Sequence, residues 1–200
     1  MAVEHETALR EIVPDPPQGA WDKEQPVIDD GCAAFIAASP FAVLATADAR
    51  GRCDASPRGG PQGFASLLSP DRLAIPDYTG NRRQDSNRNL LTNPHVGLVF
   101  FVPGVKETLR VNGRAALSTD PDLLATLNTG GAPPRLALDI AVDTAFIHCG
   151  KALHRAELWD PSSWPEGVSL LAARARAGGE TEEQVRARWE AGFKDPKQLW

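Results

Sequence analysis

Residues 93–101, Asn-Pro-His-Val-Gly-Leu-Val-Phe-Phe, and residues 107–115, Glu-Thr-Leu-Arg-Val-Asn-Gly-Arg-Ala, decide the fold. The first segment is an apolar run that predicts a strand buried on both faces from Val96 to Val102. The second begins an alternation of apolar and polar residues that continues to Thr119, which predicts a long strand with one buried face. A Pro-Gly turn lies between the two segments, so we expect an antiparallel pair.

Further strands are predicted on both sides of this pair. Each is a short apolar run bounded by turn residues. They cover residues 41–46, 53–57, 64–68, 73–75 and 136–149, the first four as an antiparallel meander. Helices are predicted at residues 27–38, 84–91 and 120–131 and from Thr181, where Thr-Glu-Glu-Gln matches a capping box. Six or seven antiparallel strands with a few helices imply a small barrel decorated by helices.

The composition is that of an ordinary globular protein, with 42% hydrophobic and 24% charged residues in a chain of 200. No run approaches the roughly 18 apolar residues that span a membrane, and residues 1–10 lack a secretory signal, so we expect a cytoplasmic protein. A net charge of -5 argues against a nucleic-acid partner. The three cysteines, Cys32, Cys53 and Cys149, are widely spaced, which predicts buried free thiols and no metal site.

A basic turn interrupts this acidic chain at residues 75–89, Ile-Pro-Asp-Tyr-Thr-Gly-Asn-Arg-Arg-Gln-Asp-Ser-Asn-Arg-Asn. It links the end of one predicted strand to the start of a predicted helix. Backbone N–H groups at a helix start, with arginine and hydroxyl donors nearby, favour a bound phosphate. The segment therefore predicts a site for a small anionic ligand. The alternative is a solvated basic turn without a ligand.

The sequence has none of the common catalytic motifs. It lacks a nucleophile elbow, a Walker loop, a Gly-x-Gly-x-x-Gly fingerprint and a His-Glu-x-x-His pair. The polar residues that remain are the basic turn and side chains on neighbouring strands. A cofactor that carries its own reactivity would explain an active protein of this kind.

Taken in this order, the elements resemble the pyridoxamine 5′-phosphate oxidase-like split-barrel flavoproteins across about residues 27–159. The resemblance is carried by Phe-Ala-Val-Leu-Ala-Thr at 41–46, Ser-Pro-Arg-Gly at 56–59, the basic turn, and the two segments quoted first. The segment from Cys149 to Arg155, with Trp159, is similar to the closing element of a subgroup of FMN-dependent enzymes in this class. The resemblance implies a mainly β fold with peripheral helices (α+β), a six- to seven-stranded antiparallel split β-barrel of the FMN-binding type.

We accordingly expect three parts in the chain. These are an N-terminal arm at residues 1–26, a split-barrel flavin-binding domain at residues 27–159, and a helical extension packed on the barrel at residues 160–200. The resemblance further implies a homodimer with FMN in a groove between the subunits.

The resemblance also assigns roles to residues. Arg83 and Ser86 look like the phosphate ligands, with Arg82 and Asn81 as near alternatives. The flavin edge would be lined by Ser56 and Arg58, Thr108 stands where the family often has a glutamine, and Lys151 would approach from the second subunit. Arg110 and Arg114 are interpreted as strand-surface charges.

The C-terminal sequence departs from the vitamin-forming oxidase, because Trp159-Asp160-Pro161 and a helical tail replace the arginine-rich substrate segment. We therefore do not expect pyridoxamine phosphate to be the substrate. The resemblance implies an FMN-dependent oxidoreductase that passes hydride to or from flavin N5, with a small organic substrate or a nicotinamide as the other reactant. No side chain is nominated as acid or base. The alternatives are a non-catalytic carrier of flavin or haem, and an assembly or regulatory protein whose barrel is empty.

Overall fold

The computed structural model describes residues 2–78, 80, 82–127, 133–167 and 169–195. Seven strands follow the alternating or apolar runs of the sequence: β1 (Phe41–Ala47), β2 (Cys53–Gly59), β3 (Ser66–Ser69), β4 (Arg72–Pro76), β5 (His95–Phe101), β6 (Thr108–Ser118) and β7 (Ala137–His148). The helices are α1 (Glu6–Ile12), α2 (Asp30–Ala38), α3 (Asp85–Leu90), α4 (Pro121–Thr126), α5 (Lys151–Arg155), α6 (Leu171–Gly178) and α7 (Glu182–Lys194).

All seven strands belong to one antiparallel sheet with the order β2-β1-β5-β6-β7-β4-β3. The predicted α+β split barrel is confirmed. The predicted meander of the first four strands is wrong, because β1–β2 and β3–β4 are hairpins at opposite ends of the sheet. Strands β5 and β6, predicted as an antiparallel pair, lie side by side in the middle of the sheet, with Leu98 opposite Val111. The edge strands β2 and β3 do not pair with each other, which leaves the barrel split.

The barrel core follows the alternation of the strands. In β1 the residues Ala42 and Leu44 are fully buried, while Phe41, the neighbour of Ala42 on the opposite face, is 40% exposed. The same core holds Phe100 of β5 and Ile36 of α2, so the helix packs its apolar side against the sheet. Burial of side chains of this size stabilises the fold by roughly 1.5–3 kcal/mol each.

The helix ends follow from local sequence. Asp120 caps α4 by accepting from the N–H of Asp122, with Pro121 at the first helical position, as predicted. The glycines predicted to close this helix, Gly130 and Gly131, lie outside the described residues. The capping box predicted at Thr181 is confirmed, since both of its hydrogen bonds to Gln184 are present.

The terminal segments lie outside the barrel core. Helix α1 has no buried residue, and the arm reaches the barrel where Gln25 exchanges two backbone hydrogen bonds with Ala145. Helices α6 and α7 form a small core of their own from Leu171, Ala175 and Val185. The division at residues 27 and 159 stays a prediction.

The expectation of buried thiols is wrong for two of the three cysteines. Cys32 is buried in α2, but Cys53 and Cys149 are exposed because they stand where strands meet solvent, at the start of β2 and just after β7. Within the described ranges, none of the helices has the length and apolar character needed to cross a membrane.

Candidate functional site

A groove of about 460 Å³ lies between β2, the end of β4 and the start of α3. Its size falls in the range of small-molecule and cofactor sites. The hairpin strand β2 supplies one wall and the loop that links β4 to α3 supplies the other. Its described lining is residues 54–59, 76–78, 80 and 82–87.

The loop before α3 has an unusual backbone. Arg82 and Gln84 have φ angles of 61° and 58°, in the left-handed region that residues with a Cβ avoid. Each such residue costs about 1–2 kcal/mol, so the surrounding contacts must hold the loop in place. This backbone path leaves Arg82 and Arg83 exposed. Helix α3 then begins at Asp85, and its N-cap residue, Gln84, makes no side-chain capping hydrogen bond.

Arg58 and Asp77 form an ion pair across the groove. Arg58 Nη1 donates to Asp77 Oδ1 at 2.9 Å, and the two side chains are only 16% and 10% exposed. The pair connects β2 to the end of β4, which are far apart in the sheet. Arg58 Nε is buried and has no hydrogen-bond partner in the described part of the chain. A buried donor of this kind is available to a ligand that offers an oxygen.

Two amide side chains extend the polar contacts of Asp77 along the loop. Gln84 Nε2 donates to Asp77 Oδ2 at 3.3 Å, and Asn87 Nδ2 donates to Gln84 Oε1. Asn87 is buried, with only 4% of its surface exposed, and its Oδ1 has no partner among the described residues.

The two side chains expected to bind phosphate, Ser86 and Arg83, each donate a hydrogen bond to a carboxylate. Ser86 Oγ, in a residue that is 3% exposed, donates to Asp54 Oδ2 at 2.7 Å. Arg83 Nε donates to Asp85 Oδ2 at 2.7 Å, and its hydrogen bond to this carboxylate raises the pKa of the guanidinium further. An incoming phosphate would therefore compete with both carboxylates.

Tyr78 lines the groove next to the ion pair. Burial raises the pKa of its phenol to about 12. The phenol therefore stays protonated at neutral pH and can donate a hydrogen bond. Its hydroxyl also lies close to Gly60, where a Cβ would stand 2.9 Å from Tyr78 Oη.

A second cavity, of about 340 Å³, lies on the outer face of β5 and β6. It is lined by Val99, Phe101, Thr108, Arg110, His148, Cys149, Ala152 and Leu153. Burial, followed by the charges of Arg110 and Lys23, lowers the pKa of His148, so this imidazole is neutral at pH 7.

The structure divides the predicted cofactor residues between these two places. Five of the eight line the groove: Ser56, Arg58, Arg82, Arg83 and Ser86. Thr108 lies in the second cavity, and Lys151 begins α5, whose next two residues line that cavity. Asn81 lies outside the described residues. Arg88, on α3, is exposed and lines a neighbouring groove.

Several groove residues were not singled out from the sequence. Asp77, Tyr78, Gln84 and Asn87 all belong to the basic turn, and their nearness to Arg58 could have been inferred only from the position of β2. The role of Asp54 could likewise have been inferred only from the position of β2. Its place beside Ser86 depends on where α3 lies against β2, which a periodicity does not reveal.

The sequence matches the family model for pyridoxamine 5′-phosphate oxidase over residues 28–149, more than half of the chain. The chain belongs to the pyridoxamine 5′-phosphate oxidase family. The match runs from just before α2 to just after β7, so the groove and most of the second cavity fall within the family region. No curated protein sequence matches the chain.

Several solved structures resemble part of this chain. HupZ from Group A Streptococcus shares 16% identity with a TM-score of 0.47, covering 60% of this chain and 93% of its own. A proposed pyridoxamine 5′-phosphate oxidase from Lactobacillus delbrueckii shares 20% identity, with a TM-score of 0.47 and coverage of 61% and 95%. General Stress Protein 26 from Bacillus anthracis shares 16%, with a TM-score of 0.44 and coverage of 57% and 88%.

Proposed function

We propose that the chain is an FMN-dependent oxidoreductase that works as a homodimer, with the cofactor in a groove completed by the second subunit. The observation that carries the proposal is that five of the predicted cofactor residues line one groove. Residues 56 and 58 of β2 and residues 82, 83 and 86 around the start of α3 are separated in sequence but line the same space. When bound, FMN would accept or donate hydride at N5.

The side chains suit the two ends of such a cofactor. Arg82 and Arg83 are exposed cations beside the buried hydroxyl of Ser86, and guanidinium groups form charge-assisted hydrogen bonds with phosphate. Arg58 is held by Asp77 with its Nε unpartnered among the described residues. A ring carbonyl could accept from this nitrogen, and the positive charge would stabilise a reduced, anionic flavin.

Charge in the groove is balanced rather than strongly basic. The three arginines face three carboxylates: Asp54, Asp77 and Asp85. Binding would therefore depend on specific donors, since a broad positive field is absent from the described lining. This balance fits a selective site for one anionic cofactor better than a general polyanion surface.

The remaining predicted residues support a site shared by two subunits. Thr108 and the start of α5 belong to the second cavity and do not line the groove. In a homodimer, the second cavity of one subunit would face the groove of the other. Lys151 and Thr108 of the partner subunit would then complete the cofactor site.

The visible absorption spectrum of the purified protein tests the proposal. We expect the bands of an oxidised flavin, either as purified or after addition of FMN. The double variant Arg83→Ala/Ser86→Ala should bind FMN more weakly by tenfold or more, since it removes a charged and a neutral hydrogen bond. Arg114→Ala is the matched control, because Arg114 is an exposed strand residue outside the groove.

Turnover separates the enzyme from a carrier. A nicotinamide should reduce the bound flavin, and an organic acceptor or oxygen should reoxidise it. Bound flavin that undergoes neither step would instead indicate a non-catalytic carrier. A protein that stays colourless and shows no thermal shift with FMN would contradict both functions.

A further inference from the structure

Four polar side chains form a continuous chain of hydrogen bonds in the groove: Arg58, Asp77, Gln84 and Asn87. Arg58 and Gln84 both donate to Asp77, one to each carboxylate oxygen, at 2.9 and 3.3 Å. Asn87 in turn donates from Nδ2 to Gln84 Oε1. All four residues line the groove.

The carboxylate of Asp77 determines which atom of each amide side chain is the donor in this series of hydrogen bonds. Asp77, paired with Arg58, can only accept hydrogen bonds, so Gln84 must present its Nε2 to it. Gln84 Oε1 then faces Asn87, and Asn87 must present its Nδ2. Turning either amide over would place two acceptors or two donors against each other. Asn87 Oδ1 is therefore set as an acceptor.

At each end of this series of hydrogen bonds, one buried polar atom has no hydrogen-bond partner among the described residues. At one end Asn87 Oδ1 is buried without a donor, in a residue that is 4% exposed, and at the other end Arg58 Nε is buried without an acceptor. Buried polar atoms almost always have a partner. The groove thus calls for a ligand that offers an oxygen to Arg58 and a hydroxyl or N–H group to Asn87.

We propose that Asn87 accepts a hydrogen bond from a hydroxyl of the ligand's sugar-alcohol chain. The inference rests on the proposed function, in which the ligand is FMN. The phosphate and the ring carbonyls of FMN accept hydrogen bonds and suit arginines, whereas the ribityl hydroxyls between them can donate. Asn87 follows Ser86 in sequence and is linked to Arg58 through the polar chain, so it lies between the residues assigned to the phosphate and those assigned to the ring.

Two flavins that differ only in this chain test the assignment. The full-length protein, freed of any flavin it carries, is titrated with FMN and with an analogue whose ribityl hydroxyls are replaced by hydrogens while the 5′-phosphate is kept. Wild type should prefer FMN by about fivefold or more, the value of a typical hydrogen bond. Asn87→Ala should lose about fivefold in affinity for FMN, keep its affinity for the analogue, and so lose the preference.

Asn89→Ala is the matched control. Asn89 has the same side chain on the same helix, but its Nδ2 donates to Thr46 Oγ1 at 3.0 Å and it lines the neighbouring groove. This variant should lose stability and keep the wild-type preference for FMN over the analogue.

Three outcomes would overturn the inference, and they can be told apart. Equal affinity of the wild type for both flavins overturns it without the need for any variant to fold. A folded Asn87→Ala protein that keeps the full preference means that a buried water satisfies Asn87. If the wild type binds neither flavin, the proposed function fails as well.

Discussion

At the scale of residues, the two side chains first expected to bind phosphate, Arg83 and Ser86, are each hydrogen-bonded to a carboxylate. Arg83 pairs with Asp85, and Ser86 donates to Asp54. A phosphate that binds here takes over hydrogen bonds that already exist. Its affinity is therefore set by a difference between two sets of interactions, which makes the carboxylates as informative to mutate as the arginines.

Asp85→Asn should tighten FMN binding. The substitution removes a negative charge beside Arg83, and the pair is exposed, with side chains 73% and 37% accessible, so we expect a gain of about threefold to fivefold. Riboflavin, which lacks the phosphate, should bind with unchanged affinity. Fluorescence titration with both ligands measures the two effects.

Asp139→Asn serves as the control for that change. Asp139 pairs with Arg72 on the sheet surface, away from the groove, so its removal should leave FMN affinity unaltered. An equal gain for riboflavin in Asp85→Asn would rule out the electrostatic explanation.

Tyr78 gives the groove a spectroscopic reporter, because it is the only tyrosine in the chain. Burial raises its pKa from the usual 10.0 to about 12, which means that folding favours the neutral phenol. The stability that this contributes is complete below pH 10 and is lost as the pH rises from 10 towards 12.

Tyrosinate absorbance of the flavin-free protein should therefore rise with a midpoint near pH 12 in the folded state. The chain unfolded in denaturant should titrate near the ordinary value. The wild-type free energy of unfolding should fall between pH 10.0 and about pH 12 as Tyr78 ionises, and Tyr78→Phe should lack this part of the fall. A folded-state midpoint at the ordinary value would show that Tyr78 is in contact with water.

At the scale of elements, the longest strand pair depends on one glycine. The register of β6 and β7 shifts between Asn112 and Gly113, which marks a β-bulge. A Cβ on Gly113 would stand 2.1 Å from the carbonyl oxygen of Ala141, too close for any side chain. The bulge and the missing side chain allow β7 to continue as one strand past this point.

Gly113→Ala should lower the free energy of unfolding by about 3 kcal/mol or more, because the backbone of β7 must move. Gly97→Ala, on the neighbouring strand β5, is the matched control. Its Cβ would make only an ordinary contact with Asn112 Oδ1 at 3.4 Å. Urea denaturation compares the two, and equal losses would mean that the bulge region can adapt.

The strands themselves were largely predictable from sequence, and their order was not. Alternation in residues 107–119 and the apolar run before it correctly placed β6 and β5. The prediction that β5 is buried on both faces is wrong, because Val99 and Phe101 on its outer face are only half-buried and line the second cavity. Pairing of β4 with β7 joins segments distant in sequence, such as Ile75 with Leu138, and no local pattern encodes it. The meander was therefore the wrong extrapolation from correct hairpins.

The candidate site was predictable to a similar extent. Arginines and hydroxyls in the basic turn could be named from composition and from resemblance to a family. The buried acceptor of Asn87 and the carboxylate partners could not, because they depend on the left-handed backbone at Arg82 and Gln84 and on the approach of β2.

At the scale of the whole molecule, the second cavity and its apolar surroundings are the surface to which we propose that a second copy of the chain binds. Phe41 is 40% exposed on this outer face, and its ring lies 5.9 Å from that of Phe101, which lines the cavity. The cavity also holds Thr108 and adjoins Lys151, the two predicted cofactor residues among the described ones that do not line the groove.

In the proposed homodimer, Phe101→Glu should separate the subunits and weaken FMN binding, since it places a charge in the apolar surface proposed to lie between them. Sedimentation velocity gives the mass, and circular dichroism verifies the fold. Leu91→Glu is the control, because Leu91 is 73% exposed and lines a different groove. A monomeric wild type that binds FMN would show that one subunit suffices.

The outer edges of β2 and β3, which do not pair with each other, affect how the protein behaves in concentrated solution. A free strand edge is a template onto which another chain can add a strand. Strand β2 carries Pro57, which has no N–H to offer, and the charges of Asp54 and Arg58, while β3 is only four residues long and irregular. Both edges therefore resist edge-to-edge addition, so the sheet can stay open, as the proposed ligand site requires, without promoting aggregation into fibres.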